Sequence, residues 1–197
     1  ARARLEKPGV ELPPKKLWPT GMADIGVPLT GKIREPSEIG GAIARLSDVG
    51  WGTRLRPLLA GPDGEVPDDV VRAVIEVLAA WGWATRPTGV VAIPSRSKPR
   101  LVESLAARIA AIGKLPLVGT LARVRNEPPS SGRSNSAQRL RSVYGSFSTE
   151  GLPLAKGAPV LLVDDRIDSG WTIAEATRVL REAGSGPVYP FVLAEDG

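Results

Sequence analysis

Cysteine and histidine are both missing from this 197-residue chain. Without cysteine there is no disulfide and no thiolate metal site. Without histidine, a Ser-His-Asp triad, a Cys-His pair and an imidazole-bound zinc are excluded within the chain. A metal would be a hard cation held by oxygen, for which Mg²⁺ is the best match. Aromatic residues are scarce at 5%. No apolar run approaches the roughly 20 residues that cross a bilayer. No secretory leader pattern opens the chain, so a cytoplasmic location with no membrane partner is expected. Residue 1 is Ala and Met22 is the only methionine, so a longer parent chain is expected.

What is present is a balanced globular composition, with 42% hydrophobic and 24% charged residues and a formal net charge of +5. That length suits one α/β domain with some additional structure. The positive balance permits a phosphate or nucleic-acid partner without requiring one.

The most informative stretch is Val160-Leu161-Leu162-Val163-Asp164-Asp165-Arg166-Ile167-Asp168-Ser169-Gly170-Trp171-Thr172-Ile173. Four apolar residues read as a buried parallel strand, with two carboxylates at its expected end. Asp168 then opens a Ser-Gly-x-Thr turn, and a helical pattern follows. Backbone N–H groups and two hydroxyls at a helix N-terminus make a phosphate cradle. The adjacent acids suit sugar hydroxyls or Mg²⁺. The plain alternative is a helix start capped by Asp168 or Ser169.

The rest of the chain reads as follows. Residues 1–40 are rich in Pro, Gly and basic residues and suggest a linker or lasso, with Trp18 as a packing anchor. Residues 39–59 are ambiguous. A helix is expected over 68–81, with Pro67 at its start, acids in its first turn and Gly82 as its stop. A strand over 90–93 leads into a stiff basic loop, Pro94-Ser95-Arg96-Ser97-Lys98-Pro99-Arg100. A helix over 101–112 should turn Leu101, Leu105, Ile109 and Ile112 inward and close at Gly113. A strand over 117–124, a mobile polar segment over 126–135 and a short helix over 136–143 come next. Strand 160–163, helix 172–183 and strand 188–194 complete the pattern. Strands alternating with helices from residue 82 argue for a parallel sheet with ligands at its carboxyl edge.

Residues 160–173 resemble the phosphoribosyl-pyrophosphate signature of type I phosphoribosyltransferases. Residues 90–147 resemble the ComF-like branch, through Leu121-Ala122-Arg123-Val124-Arg125, Ala137-Gln138-Arg139-Leu140-Arg141 and Gly145-Ser146-Phe147. Lys98-Pro99-Arg100-Leu101-Val102 stands where that branch has an Arg-Gly-Phe-Asn-Gln type of run. Lys16-Leu17-Trp18-Pro19-Thr20-Gly21, Leu46-Ser47-Asp48-Val49-Gly50-Trp51-Gly52 and Ser136-Ala137-Gln138-Arg139-Leu140 are similar to the C-terminal region of certain bacterial RecQ-type ATP-dependent DNA helicases. No Walker A loop is present, so an ATPase motor would precede residue 1.

The resemblance implies a phosphoribosyltransferase-like (Rossmann-like) parallel-sheet core over 66–197, with an irregular, partly helical extension over 1–65. It implies ribose and Mg²⁺ contacts from Asp164 and Asp165. It implies 5′-phosphate contacts from Asp168, Ser169, Gly170, Trp171 and Thr172, and a pyrophosphate loop of Ser95, Arg96, Ser97 and Lys98. Residues 125–133 would close over the site. A base-covering hood would come from residues 1–85 or from the loop near 126–135. The expected partner is phosphoribosyl pyrophosphate or another phosphorylated ligand. Arg123, Arg125, Arg133, Arg139 and Arg141 either touch DNA phosphates or form a solvated surface. Two functions remain open: an accessory domain of a helicase, not catalytic alone, or an active phosphoribosyltransferase using phosphoribosyl pyrophosphate and Mg²⁺.

Overall fold

In the computed structural model, residues 8–128 and 134–197 are described. Their strands are β1 (Val10–Leu12), β2 (Gly40–Arg45), β3 (Gly89–Ala92), β4 (Leu117–Thr120), β5 (Ala122–Arg123), β6 (Phe147–Ser148), β7 (Val160–Ile167) and β8 (Val188–Glu195). Their helices are α1 (Trp51–Ala60), α2 (Asp68–Ala79), α3 (Pro99–Gly113), α4 (Ser136–Val143) and α5 (Trp171–Glu182). A 3₁₀ turn occupies Ala23–Ile25.

Six strands form one sheet in the order β1-β2-β8-β7-β3-β4. All its neighbours run parallel except β1, which pairs antiparallel with β2. Alternation along the strands divides the core. Leu161, Val163, Phe191 and Leu193 meet α1, α2 and α3, while Val160, Leu162, Val188 and Val192 meet α5. The result is helices on both faces of a mostly parallel sheet, the α/β arrangement expected from the sequence. A third cluster joins Trp18, Met22 and Val27 to Leu140 and Trp171.

The stretch expected as an irregular extension is more ordered than its composition suggests. β2 lies inside the sheet as the parallel neighbour of β8, and α1 packs on the same core as α2 and α3. A boundary at residue 65 therefore does not divide the sheet. The physical reason is visible at Gly41, where a Cβ would come within 3.0 Å of the Trp81 ring. The strand needs small residues for this close approach, and small residues carry little strand signal.

Three other expectations shift. β7 runs eight residues rather than four, because pairing with β8 continues through Ile167 opposite Glu195. The single strand expected over 117–124 breaks at Leu121, whose N–H donates to the Ala92 carbonyl at 2.9–3.0 Å spacing typical of a ladder (3.0 Å here). Beyond it, β5 leaves the main sheet to pair with β6. In α3, Gly113 is still helical and Lys114 takes the left-handed conformation at φ 52°. There the Leu115 N–H donates to the Ala110 carbonyl, as in a Schellman turn. Ile112, expected inward, is 49% exposed.

Candidate functional site

The carboxyl ends of β3, β7 and β8 open into one cleft of about 410 Å³. Its floor is the end of β7. Asp164 is buried and accepts a bond from the Asp165 N–H at 2.8 Å; Asp165 accepts from the Arg166 N–H at 2.9 Å. Burial, then the neighbouring Asp165 charge, pushes the Asp164 carboxyl well above its ordinary range. The chain then turns through Asp168, Ser169 and Gly170, all on the cleft wall, into α5. Gly170 sits at φ 81°, in the left-handed region that suits glycine.

No side chain caps α5. The plain alternative of Asp168 or Ser169 as a helix cap is thus not what the turn does. Asp168 instead faces Arg139 of α4 at 3.3 Å. The first-turn N–H groups of α5 lack intrahelical acceptors by geometry, and together with the Ser169 and Thr172 side chains on the cleft wall they suit an anion.

Ser95, Arg96 and Ser97 line the same cleft. Lys98 does not. It is 3% exposed and its ammonium donates to the Gly61 carbonyl, on the far side of the loop. Lys98 is the residue at the N-terminal cap of α3, directly before Pro99 in its first turn. Trp171 lies on the cleft lining at the start of α5, and its ring is buried against Trp18.

A family model described as the phosphoribosyl transferase domain matches residues 69–195. The chain belongs to that phosphoribosyl transferase family. Among solved structures it is similar to adenine phosphoribosyltransferase from Leishmania tarentolae, with 12% identity, TM-score 0.42, and coverage of 64% of this chain and 69% of that one. It is similar to the Saccharomyces cerevisiae adenine phosphoribosyltransferase at 17% identity and TM-score 0.39, covering 64% of each chain. The Leishmania donovani enzyme aligns at 13% identity and TM-score 0.42 over 66% of each chain. The aligned part thus spans about two thirds of each relative. No curated protein matches the chain.

Among the further side chains that this phosphoribosyl transferase domain brings to the cleft, not expected there as ligand groups, are Arg123, Arg139 and Asp196. Arg123 is tethered by a 2.5 Å bond to the Pro94 carbonyl and lies over the Phe147 ring. Burial, then the Arg96 charge, lowers its pKa, and the Asp164 carboxylate opposes that shift. Burial, then Asp168 and Asp165 against the Arg166 charge, raises the pKa of Asp196. The only sequence signal for these residues was their charge, because they come from the small β5–β6 sheet, from α4 and from the end of β8.

Two of the other arginines weighed as DNA contacts are used within the chain. Arg125 donates to the Tyr144 carbonyl at 2.6 Å, and Arg141 to the Ile25 carbonyl at 2.7 Å. Arg133 and the rest of 129–133, within the segment expected to close over the site, lie outside the described residues. Among the described residues there is no cluster of three or more acidic, His or Cys side chains spaced for a metal. None of their helices is long and apolar enough to cross a membrane.

Proposed function

We propose that this domain binds a phosphoribosyl group, with the 5′-phosphate on the turn at 169–172 and the ribose hydroxyls on Asp164 and Asp165. The observation that carries the reading is the open N-terminus of α5, uncapped and facing the cleft beside two buried carboxylates. Charge-assisted bonds from such donors contribute about 1.5–3 kcal/mol each. Arg96 and Arg123, both on the cleft wall, supply the cationic side suited to pyrophosphate.

Mg²⁺ fits the donor set. Asp164 and Asp165 offer only oxygen, and this ion is commonly held by one or two carboxylates with substrate phosphates completing the shell. When bound it would neutralise charge on a pyrophosphate leaving group. The domain's own residues would do the remainder: the α5 turn fixes the phosphate, Asp165 orients the sugar, and Arg96 and Arg123 receive the diphosphate.

Titration calorimetry with phosphoribosyl pyrophosphate and Mg²⁺ tests this. Saturable heat is expected, and Asp165→Asn should remove it. A silent wild-type chain at millimolar ligand ends the proposal.

For its setting, we infer an accessory module of a RecQ-type DNA helicase, not catalytic alone. The support is the resemblance of Lys16-Leu17-Trp18-Pro19-Thr20-Gly21 and the two related runs to that region of such helicases. Phosphoribosyl transfer is the second reading, favoured by Arg96 and Arg123 standing across the cleft from the sugar-side carboxylates. Pyrophosphate release in the presence of nucleobases would establish transfer. Unwinding unaffected by deletion of this region from the parent would end the accessory reading.

A further inference from the structure

The match to the phosphoribosyl transferase family begins at residue 69, yet the phosphate turn is backed by a segment far upstream. Behind Gly170 lies the side chain of Lys15. A Cβ placed on Gly170 would meet the Lys15 Cε at 3.3 Å and its Cγ at 3.9 Å. The Lys15 ammonium stands 4.8 Å from the centroid of the Trp171 ring, the residue directly after that glycine. The same Trp171 ring is stacked on Trp18, three residues beyond Lys15.

This placement is built rather than incidental. Residues 16–18 are held to 31–33 by the Trp18 N–H on the Gly31 carbonyl and the Ile33 N–H on the Lys16 carbonyl, both 2.9 Å. Among the described residues the Lys15 ammonium makes no ion pair with a carboxylate. A second pocket, of about 160 Å³, lies behind the turn and has Lys15, Ser169 and Gly170 in its wall. The phosphate turn is therefore a thin partition, with the cleft before it and Lys15 behind it.

The electrostatics of the turn give that charge a task. Asp164, Asp165, Asp168 and Asp196 all line the cleft and oppose an incoming phosphate. Arg139 offsets Asp168. Lys15 adds positive charge to the other face, aligned with the positive end of the α5 dipole.

We propose that Lys15 is a supporting residue of the phosphate site, holding its charge behind Gly170 so that the turn favours an anion. The inference rests on the phosphoribosyl reading of the cleft. Lys15 is exposed, so its contribution is modest and screened by salt.

The test is calorimetric titration of the full chain with ribose 5-phosphate at low and high ionic strength. Lys15→Met keeps the aliphatic stem and removes the charge; Lys15→Arg keeps the charge. Lys15→Met should weaken binding about two- to fivefold at low salt, with the difference fading as salt rises past a Debye length of about 8 Å. Lys15→Arg should restore wild-type affinity. Equal affinity for Lys15→Met and wild type at low salt, or a loss unchanged by salt, overturns the proposal. A wild-type chain giving no heat overturns the phosphate reading itself and this inference with it, so the wild-type titration separates the two failures.

Discussion

The indole of Trp18 lies on that of Trp171, with ring centroids 6.4 Å apart and planes inclined by 27°. One comes from the N-terminal arm and the other is the first residue of α5, directly after the turn at 168–170. Met22, Val27 and Leu140 complete the cluster. This small core ties the arm, α4 and α5 together. Trp18→Ala should lower stability by about 3–5 kcal/mol, the usual range for removing a buried large aromatic. Urea unfolding would measure it, and a loss below about 1 kcal/mol would show that the arm is only loosely seated.

Arg123 and Lys98 should behave oppositely. Arg123→Met removes a guanidinium from the cleft, so pyrophosphate binding should weaken about tenfold or more. Lys98→Met removes an ammonium that serves the Gly61 carbonyl. Its pyrophosphate affinity should stay within about twofold, while stability falls by about 1–3 kcal/mol. Paired calorimetry and thermal melts would distinguish the two; a binding loss in Lys98→Met would return that residue to the site.

Asp164 makes stability depend on pH. Burial, then the Asp165 charge, raises its pKa in the folded chain above the ordinary 3.8. The folded state therefore holds this proton more tightly than the unfolded state does. The resulting stabilisation is full below 3.8 and is lost as pH rises through the raised value. Asp164→Asn should flatten that decline, seen in melts across acidic to neutral pH. An unchanged profile would mean that Asp164 is not the group responsible.

Lys114 closes α3 in the left-handed conformation at φ 52°. Glycine adopts this without a Cβ penalty. Lys114→Gly should leave stability unchanged or raise it by up to about 1 kcal/mol, the relief of local strain being offset by a more flexible unfolded chain. Denaturant unfolding would show this, and a clear loss would mean that the lysine stem packs in a way that outweighs the strain.

Local pattern carried much of the α/β order. Asp68 and Asp69 announced α2, and the Asn135 box closed by Gln138 fits the short helix expected over 136–143. The run from Val160 to Thr172 announced a strand, a turn and a helix in the right order. It did not announce that pairing to β8 would carry Asp164 and Asp165 inside the strand, because strand length is set by the neighbour. β2 was illegible for a related reason: Gly40 and Gly41 look like a turn until Pro190 and Trp81 are seen against them.

The sequence by itself determined the chemistry available: carboxylates, guanidiniums, hydroxyls and backbone N–H groups, with neither thiol nor imidazole. It also set the turn at 168–172, because that turn is built from neighbours in the chain. Beyond Arg96, the tertiary structure decided which cations face the cleft. Lys98 adjoins the expected loop yet turns away, whereas Arg123 and Arg139 arrive from separate elements and Lys15 from the opposite end of the chain. Side-chain direction follows from packing between elements distant in sequence, and local pattern does not encode it.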